Sequence, residues 1–217
     1  HLLVYNISVE QFETLNKLRE NIYEIRKFIF SQRIPYSLAH ATYSVNGKLT
    51  QEHLEKFILL FDVFEGINGS RNEIGNRIWT NILESLTPQK IEELEKKYPH
   101  IERLSLNPWI KGFTGGSDDH GGIFIGRTYT CSNSESIDGF LEDLLNKKTT
   151  AGGRNNDYIS FAFTLYKIIL DFSKSQGKRV EKSFINQISQ LIFENKNFSL
   201  INWLKFQSVK KEKKKDK

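Results

Sequence analysis

Residues 111–130 read KGFTGGSDDHGGIFIGRTYT, with an acid and an imidazole two residues apart between two pairs of glycines. In an extended chain alternate side chains share a face, so Asp118 and His120 are predicted to project together while Asp119 points away. Carboxylate and imidazole are common ligands of transition metals. A surface turn rich in Gly and Asp has the same composition. The spacing alone therefore leaves a metal-binding pair and a turn open.

On either side of this stretch, short apolar segments alternate with longer amphipathic segments. This pattern is typical of parallel strands joined by crossover helices, and it predicts an α/β fold. The predicted strands are residues 1–5, 35–39, 62–65 and 111–130. The predicted helices are residues 9–32, 50–60, 73–86, 88–98 and 136–147. From residue 157 a thick apolar stripe without any strand signal predicts a helical extension, with further helices at 183–193 and 199–206.

The composition is that of a globular chain. With 217 residues, 38% hydrophobic and 12% aromatic, it can build one domain with a real core, or a domain plus an appendage. No apolar run approaches the length needed to cross a bilayer. Cys131 is the single cysteine, so an intrachain disulfide is excluded and a reducing, cytoplasmic setting is expected. The absence of methionine predicts that the chain is a fragment whose first strand begins close to His1.

The net charge of +5 comes mostly from the end of the chain. Residues 209–217, VKKEKKKDK, hold six lysines against two acids. Such a run is typical of a solvated tail or of a linker to another domain. Aromatic residues do not interleave with these lysines, which does not favour a stacking surface for nucleic acid. The predicted organisation is therefore an α/β domain at 1–150, a helical extension at 151–208 and a lysine-rich tail or linker at 209–217.

The histidines can be sorted by their position relative to the strands. Sites in parallel α/β folds form at the carboxyl ends of strands, where side chains from several strands converge. His40 ends one predicted strand, and the Asp118–His120 pair ends another. His53 lies in the first turns of a predicted helix and His100 in a polar connection, so both are expected to be solvated. The position of His1 alone leaves its role open.

Four pieces of the chain together resemble the polymerase and histidinol phosphatase (PHP) domain superfamily. They are HLLVY at 1–5, SLAH at 37–40, FEGING at 64–69 and GSDDH at 116–120. Their order and rough spacing are similar to the successive motifs of that family, and the Gly-Ser-Asp-x-His piece is the most specific of them. The resemblance covers about residues 1–130.

The resemblance implies a distorted (β/α)7 TIM-like barrel, here incomplete, with two or three Mn, Zn or Fe ions at the strand ends. It also implies hydrolysis of a phosphorylated small molecule, as a phosphatase or phosphodiesterase. Carried over position by position, it implies four metal ligands: His1, His40, Asp118 and His120. Asp118 and His120 are also the implied catalytic residues.

The resemblance further places several residues around the mouth of the site rather than on the metals. These are Glu65, Asn68 and Arg71. Lys111 and Arg127 are candidates for phosphate contact, and either could equally be a solvated charge near the rim.

The chain also departs from the family pattern. The opening His-x-His and the glutamate of the second family motif would lie upstream of His1, so the chain alone is expected to be a poor catalyst. Ala41 stands where the family usually has proline. The stretches NGKLT, NGSRNE and TTAGGRNND are similar to a subgroup of large bacterial proteins in which a PHP domain precedes a glycosyltransferase.

Two other functional classes remain open at this point. One is a PHP module retained for regulation or interaction beside a covalently linked glycosyltransferase, with little or no hydrolase activity. The other is a helical binding protein in which the Asp-x-His pair is incidental and the basic tail contacts the partner. The second predicts no stoichiometric metal, which separates it from the hydrolase.

Overall fold

A four-stranded mixed sheet organises the first 157 residues in the computed structural model, which describes residues 1–44, 46–155 and 157–175. The strands lie in the order β1, β2, β3, β4. Their bounds are Leu2–Val4, Tyr36–Leu38, Val63–Asn68 and Gly112–Gly116. Strands β2, β3 and β4 are parallel, whereas β1 is antiparallel to β2. The carboxyl ends of three strands and the amino end of β1 therefore share one edge.

A smaller antiparallel sheet contacts β4. It consists of β5 (Thr128–Cys131) and β6 (Thr150–Gly153). The Phe113 N–H donates to the Thr149 carbonyl at 3.4 Å, and the Gly115 N–H donates to the Thr130 hydroxyl at 3.1 Å. These bonds fix the path of the chain on both sides of residues 117–127.

Helices connect the strands and cover the sheet. They are α1 (Val9–Leu18), α2 (Ile22–Ser31), α3 (Gln51–Leu60), α4 (Glu73–Glu84), α5 (Pro88–Lys97) and α6 (Ile137–Leu145). Polar N-caps satisfy the free N–H groups at several helix starts, as at Thr87 before Pro88 and at Ser136 before α6. The side chains most deeply buried in the core include Ile29, Phe61, Phe64, Leu83, Ile91 and Leu144. A separate unit begins with α7 (Tyr158–Ser175). None of the described helices is long and apolar enough to span a membrane.

The predicted α/β class is confirmed, but the all-parallel arrangement is wrong at β1. The predicted single helix over residues 9–32 is two helices, because Asn21 begins α2 by accepting hydrogen bonds from the N–H groups of Tyr23 and Glu24. Each helix reverses the direction of the chain. Two successive helices between β1 and β2 therefore leave these strands antiparallel, whereas a single helix would leave them parallel. In the described residues the sheet is open, so no closed barrel is seen.

Other differences concern the region after β4. After β4 ends at Gly116, the stretch predicted to stay extended to residue 130 returns to a strand only at Thr128–Cys131, and β6 was not predicted from its sequence TAGG. Glycine has low strand propensity, which hides such a strand from a sequence pattern. α7 is helical, as expected from residue 157 onward. The predicted helices at 183–193 and 199–206 and the tail at 209–217 lie outside the described residues.

Lys111 lies at the amino end of β4, opposite the edge that carries the predicted site. Its Nζ donates to the carbonyls of Ile58 and Phe61 at 2.7 Å each and to Asp62 Oδ1 at 3.3 Å. The side chain is 1% exposed. The predicted phosphate contact of Lys111 is therefore not supported, because its ammonium is fully engaged beside the C-terminus of α3 and in the core.

Burial of Lys111 leads to a prediction for stability against pH. Burial lowers its pKa from 10.5 to about 8, against an opposing effect of Asp62. Between these values the folded chain has released a proton that the unfolded chain still holds, so stability from this group rises with pH. In urea unfolding, the free energy of unfolding of the wild type should rise relative to that of Lys111→Met between pH 8 and 10. The exposed Lys90→Met is the control, and a constant difference would contradict the prediction.

Candidate metal centre

The predicted site residues meet where the ends of four strands share an edge. His40 follows β2, Glu65 and Asn68 lie in β3, and Asp118 follows β4. His1 joins them because β1 runs antiparallel: the Ala39 N–H donates to the His1 carbonyl at 2.8 Å. The rule that places sites at the carboxyl ends of parallel strands therefore holds for β2 to β4. His1 reaches the same edge from the amino end of its strand.

The two histidines are in direct contact. His1 Nδ1 and His40 Nε2 lie 2.8 Å apart, and the rings meet edge to face with centroids 4.7 Å apart. One nitrogen donates and the other accepts. Burial lowers the pKa of His40, so burial favours the neutral imidazole that metal coordination requires. His40 also has a φ of +34°, a left-handed conformation rare outside glycine and often found at functional sites.

Glu65 lies at the centre of this cluster. Its Oε2 accepts hydrogen bonds from the His40 N–H at 2.7 Å and from Asn68 Nδ2 at 2.8 Å. The residue is only 7% exposed, and burial raises the pKa of its carboxyl group. The resemblance placed Glu65 near the mouth and off the metals, whereas the geometry makes it a candidate ligand. The signal in the sequence is an acid within the buried strand Val63–Asn68.

Asp118 is joined to Glu65 through one amide. Asn68 Nδ2 donates to Asp118 Oδ2 at 3.3 Å as well as to Glu65, and Asn68 is 1% exposed. Arg71 Nη2 donates to the same Asp118 oxygen at 3.2 Å. Asn68 and Arg71 thus lie at the site, as predicted for substrate-binding residues, but both contact a carboxylate that was predicted to hold a metal. Asp118 has a φ of +45°, the second left-handed residue in the cluster.

The predicted extended Asp-x-His arrangement is wrong, although the two side chains are near each other. β4 ends at Gly116, and the Asp119 carboxylate accepts hydrogen bonds from the N–H groups of Gly121 and Phe124, which folds the segment into a turn. His120 Nδ1 lies 3.7 Å from Asp118 Oδ1. The His120 side chain is 72% exposed and faces solvent at the rim, where its Nδ1 also lies 3.0 Å from the Asp118 carbonyl oxygen.

The remaining predicted residues lie at the margin of the site or away from it. Arg127 precedes β5, is half-buried and packs with its Cζ 5.1 Å from the Phe124 ring. His53 forms a capping box with Thr50 at the start of α3, and exposed His100 contacts Tyr23, so neither joins the cluster.

The chemistry of the donor set suits a divalent transition metal. The three imidazoles of His1, His40 and His120 and the two carboxylates of Glu65 and Asp118 are ligand types that bind Mn, Fe or Zn. Within the described part of the chain, however, no three histidine, cysteine or acidic side chains are already arranged to hold a cation. The donors form contacting pairs, so binding would require side-chain movement, above all of His120 and of the Asp118 carboxylate held by Arg71.

The chain matches no protein-family model, no curated protein and no solved structure. The functional assignment is therefore a proposal from the residues and their geometry.

Proposed function

We propose that this chain carries the site of a metal-dependent phosphoric ester hydrolase of the PHP type. The observation that supports it is the hydrogen-bonded group of His1, His40, Glu65 and Asp118, joined by Asn68 at one edge of the sheet. The fold that accompanies this proposal is the distorted (β/α)7 barrel. The three parallel strands β2 to β4, with helices in their connections, are compatible with a segment of such a barrel.

In this proposal His1, His40, Asp118 and His120 hold Mn, Zn or Fe ions, and Glu65 is a further ligand. When bound, such ions activate water near neutral pH and offset phosphate charge. Asn68 keeps the Glu65 and Asp118 carboxylates at a fixed separation. Arg71 supplies a guanidinium at the mouth, where it can bind the phosphate of a small-molecule ester in a bidentate manner.

The test combines cation binding with turnover. Metal-free protein is titrated with Mn²⁺ by isothermal calorimetry, and hydrolysis of p-nitrophenyl phosphate is assayed with Mn²⁺. Wild type should bind Mn²⁺ stoichiometrically, and Asp118→Ala should weaken both binding and hydrolysis by about 100-fold or more, since losing even an outer-sphere partner costs about 10–100-fold. The exposed Asp138→Ala is the matched control and should behave as wild type.

The same experiment separates the alternatives. Stoichiometric Mn²⁺ without any detectable hydrolysis, in place of the slow turnover expected of this chain, would replace the hydrolase by a non-catalytic PHP module, such as one attached to a glycosyltransferase. Absence of Mn²⁺ binding would contradict the metal site itself and leave the Asp-x-His pair as a turn.

A further inference from the structure

Arg71 is held from two sides at the mouth of the candidate site. Its Cζ lies 3.4 Å from the centre of the Tyr43 ring, a close stacking contact between guanidinium and aromatic ring. Its Nη2 donates to Asp118 Oδ2 at 3.2 Å. Tyr43 in turn contacts the His40 ring edge to face, with centroids 5.9 Å apart. An aromatic residue that the sequence did not single out therefore orients the arginine beside a candidate ligand.

The guanidinium is incompletely satisfied in this position. Its Nε is buried but has no hydrogen-bond partner among the described residues. A buried donor without a partner costs free energy, and an arrangement that supplies an acceptor relieves that cost. Phosphate oxygens are acceptors that match the fork of donors on arginine.

The Asp118 oxygen that accepts from Arg71 is also an oxygen that a cation would use. A guanidinium and a divalent cation compete for it, because both need its negative charge. While Arg71 is paired with Asp118, one of its terminal amino groups is unavailable to an anion. Cation binding to Asp118 and phosphate binding to Arg71 are thus expected to favour each other.

We propose that Asp118 and the Tyr43 ring hold Arg71 in a position where it is paired and unavailable to an anion, and that neutralising the Asp118 charge releases the guanidinium to bind a phosphate group. In the proposed hydrolase, on which this inference rests, the divalent cation is what neutralises Asp118. Tyr43 is then a positioning residue: it keeps the released guanidinium at the mouth instead of letting it swing into solvent. The site would bind phosphate weakly until its cation is in place.

The first experiment measures binding of inorganic phosphate to metal-free protein by isothermal calorimetry. Asp118→Asn should tighten binding about tenfold over wild type, because Arg71 gains the freedom to make charge-assisted hydrogen bonds to phosphate. Since this substitution also removes a negative charge, the matched control is the double variant Asp118→Asn/Arg71→Gln. The double variant should lose the gain. No gain in Asp118→Asn, or an equal gain in both proteins, would overturn the proposal.

The contribution of Tyr43 is measured in the Asp118→Asn background. Tyr43→Phe keeps the ring and should retain the tighter phosphate binding, whereas Tyr43→Leu should lose most of it. Tyr158→Leu, at a tyrosine that is 74% exposed in α7, controls for the loss of an aromatic side chain. Equal phosphate affinity in the Phe and Leu variants would remove Tyr43 from the proposal.

A Mn²⁺ titration separates this inference from the proposed function. Arg71→Gln should bind Mn²⁺ about tenfold more tightly than wild type, because the competing guanidinium is gone. Unchanged Mn²⁺ affinity in Arg71→Gln would contradict the competition for Asp118. If wild type and Arg71→Gln bind no Mn²⁺ while the phosphate results are as expected, the hydrolase proposal fails. The inference that pairing with Asp118 keeps Arg71 from binding phosphate would then still hold.

Discussion

Replacing Gly115 with alanine is expected to destabilise the chain by about 3 kcal/mol, the upper end of the usual cost of overpacking a core. A Cβ at this position would lie 2.3 Å from the Tyr129 carbonyl oxygen and 3.0 Å from the carbonyl carbon. Both are backbone atoms of β5, so relief requires movement of a whole strand. Because β5 packs on β4 through Thr130, that movement would also break the Gly115 N–H bond to the Thr130 hydroxyl.

The measurement is urea unfolding followed by tryptophan fluorescence, which includes the buried Trp79 of the first unit. Gly75→Ala is the matched control, since a Cβ there meets nothing within 4 Å in the first turn of α4. That substitution should stabilise by at most about 0.5–1 kcal/mol, the usual difference between the two residues in the interior of a helix. Equal effects of the two substitutions would mean that β4 and β5 are not in close contact in solution.

Residues such as Gly115 mark the limit of what the sequence could predict about the fold. Caps and periodicity predicted α3, α4, α5 and α6 with boundaries within two residues, because these signals are local. The antiparallel direction of β1 depends on a break at Asn21 inside an otherwise continuous apolar pattern. The pairing of β6 with β5 depends on glycines that allow close backbone approach and give no hydrophobic pattern.

In the candidate site, too, some residues could be placed from local sequence signals and others depend on tertiary packing. His40 and Asp118 could be placed at one edge because both follow apolar strands in a parallel pattern. Glu65 was assigned to the margin by the family resemblance, and its strand was predicted to end at that residue, whereas β3 continues to Asn68. Tyr43 could not be found from the sequence, because its stacking on Arg71 joins two loops whose relative position depends on tertiary packing. Lys111 was a candidate for phosphate contact although the predicted strand begins at this residue, which already places it at the end of the strand away from the site.

Glu65→Gln is expected to abolish tight cation binding while it stabilises the metal-free protein. Burial raises the pKa of the Glu65 carboxyl group above its ordinary value of 4.5, mainly because the charged form loses hydration. The folded chain therefore retains this proton to a higher pH than the unfolded chain does. From pH 4.5 upward, stability from this group falls as pH rises through the interval between the two pKa values.

The stability contributed by a glutamine at this position does not depend on pH, because its side chain does not titrate. Its amide oxygen can still accept hydrogen bonds from the His40 N–H and from Asn68 Nδ2. Space for the second carboxylate oxygen is provided by Gly116, where a Cβ would lie 2.4 Å from Glu65 Oε1. The larger amide NH₂ fits there only with a small shift, which reduces the gain in stability. The cost of keeping a charged carboxylate in this position is what the proposed cation would offset.

Two measurements decide the prediction for Glu65. The free energies of urea unfolding of metal-free wild type and Glu65→Gln should diverge as pH rises above 4.5, with the variant increasingly more stable. Calorimetry should show that the variant loses Mn²⁺ affinity by about 100-fold or more, the upper end of what losing an outer-sphere partner costs. Glu84→Gln, at an exposed glutamate of α4, should change neither quantity.

A Glu65→Gln variant that is less stable than wild type at every pH would show that the buried carboxylate stabilises the fold. A variant that still binds Mn²⁺ as wild type would remove Glu65 from the metal centre.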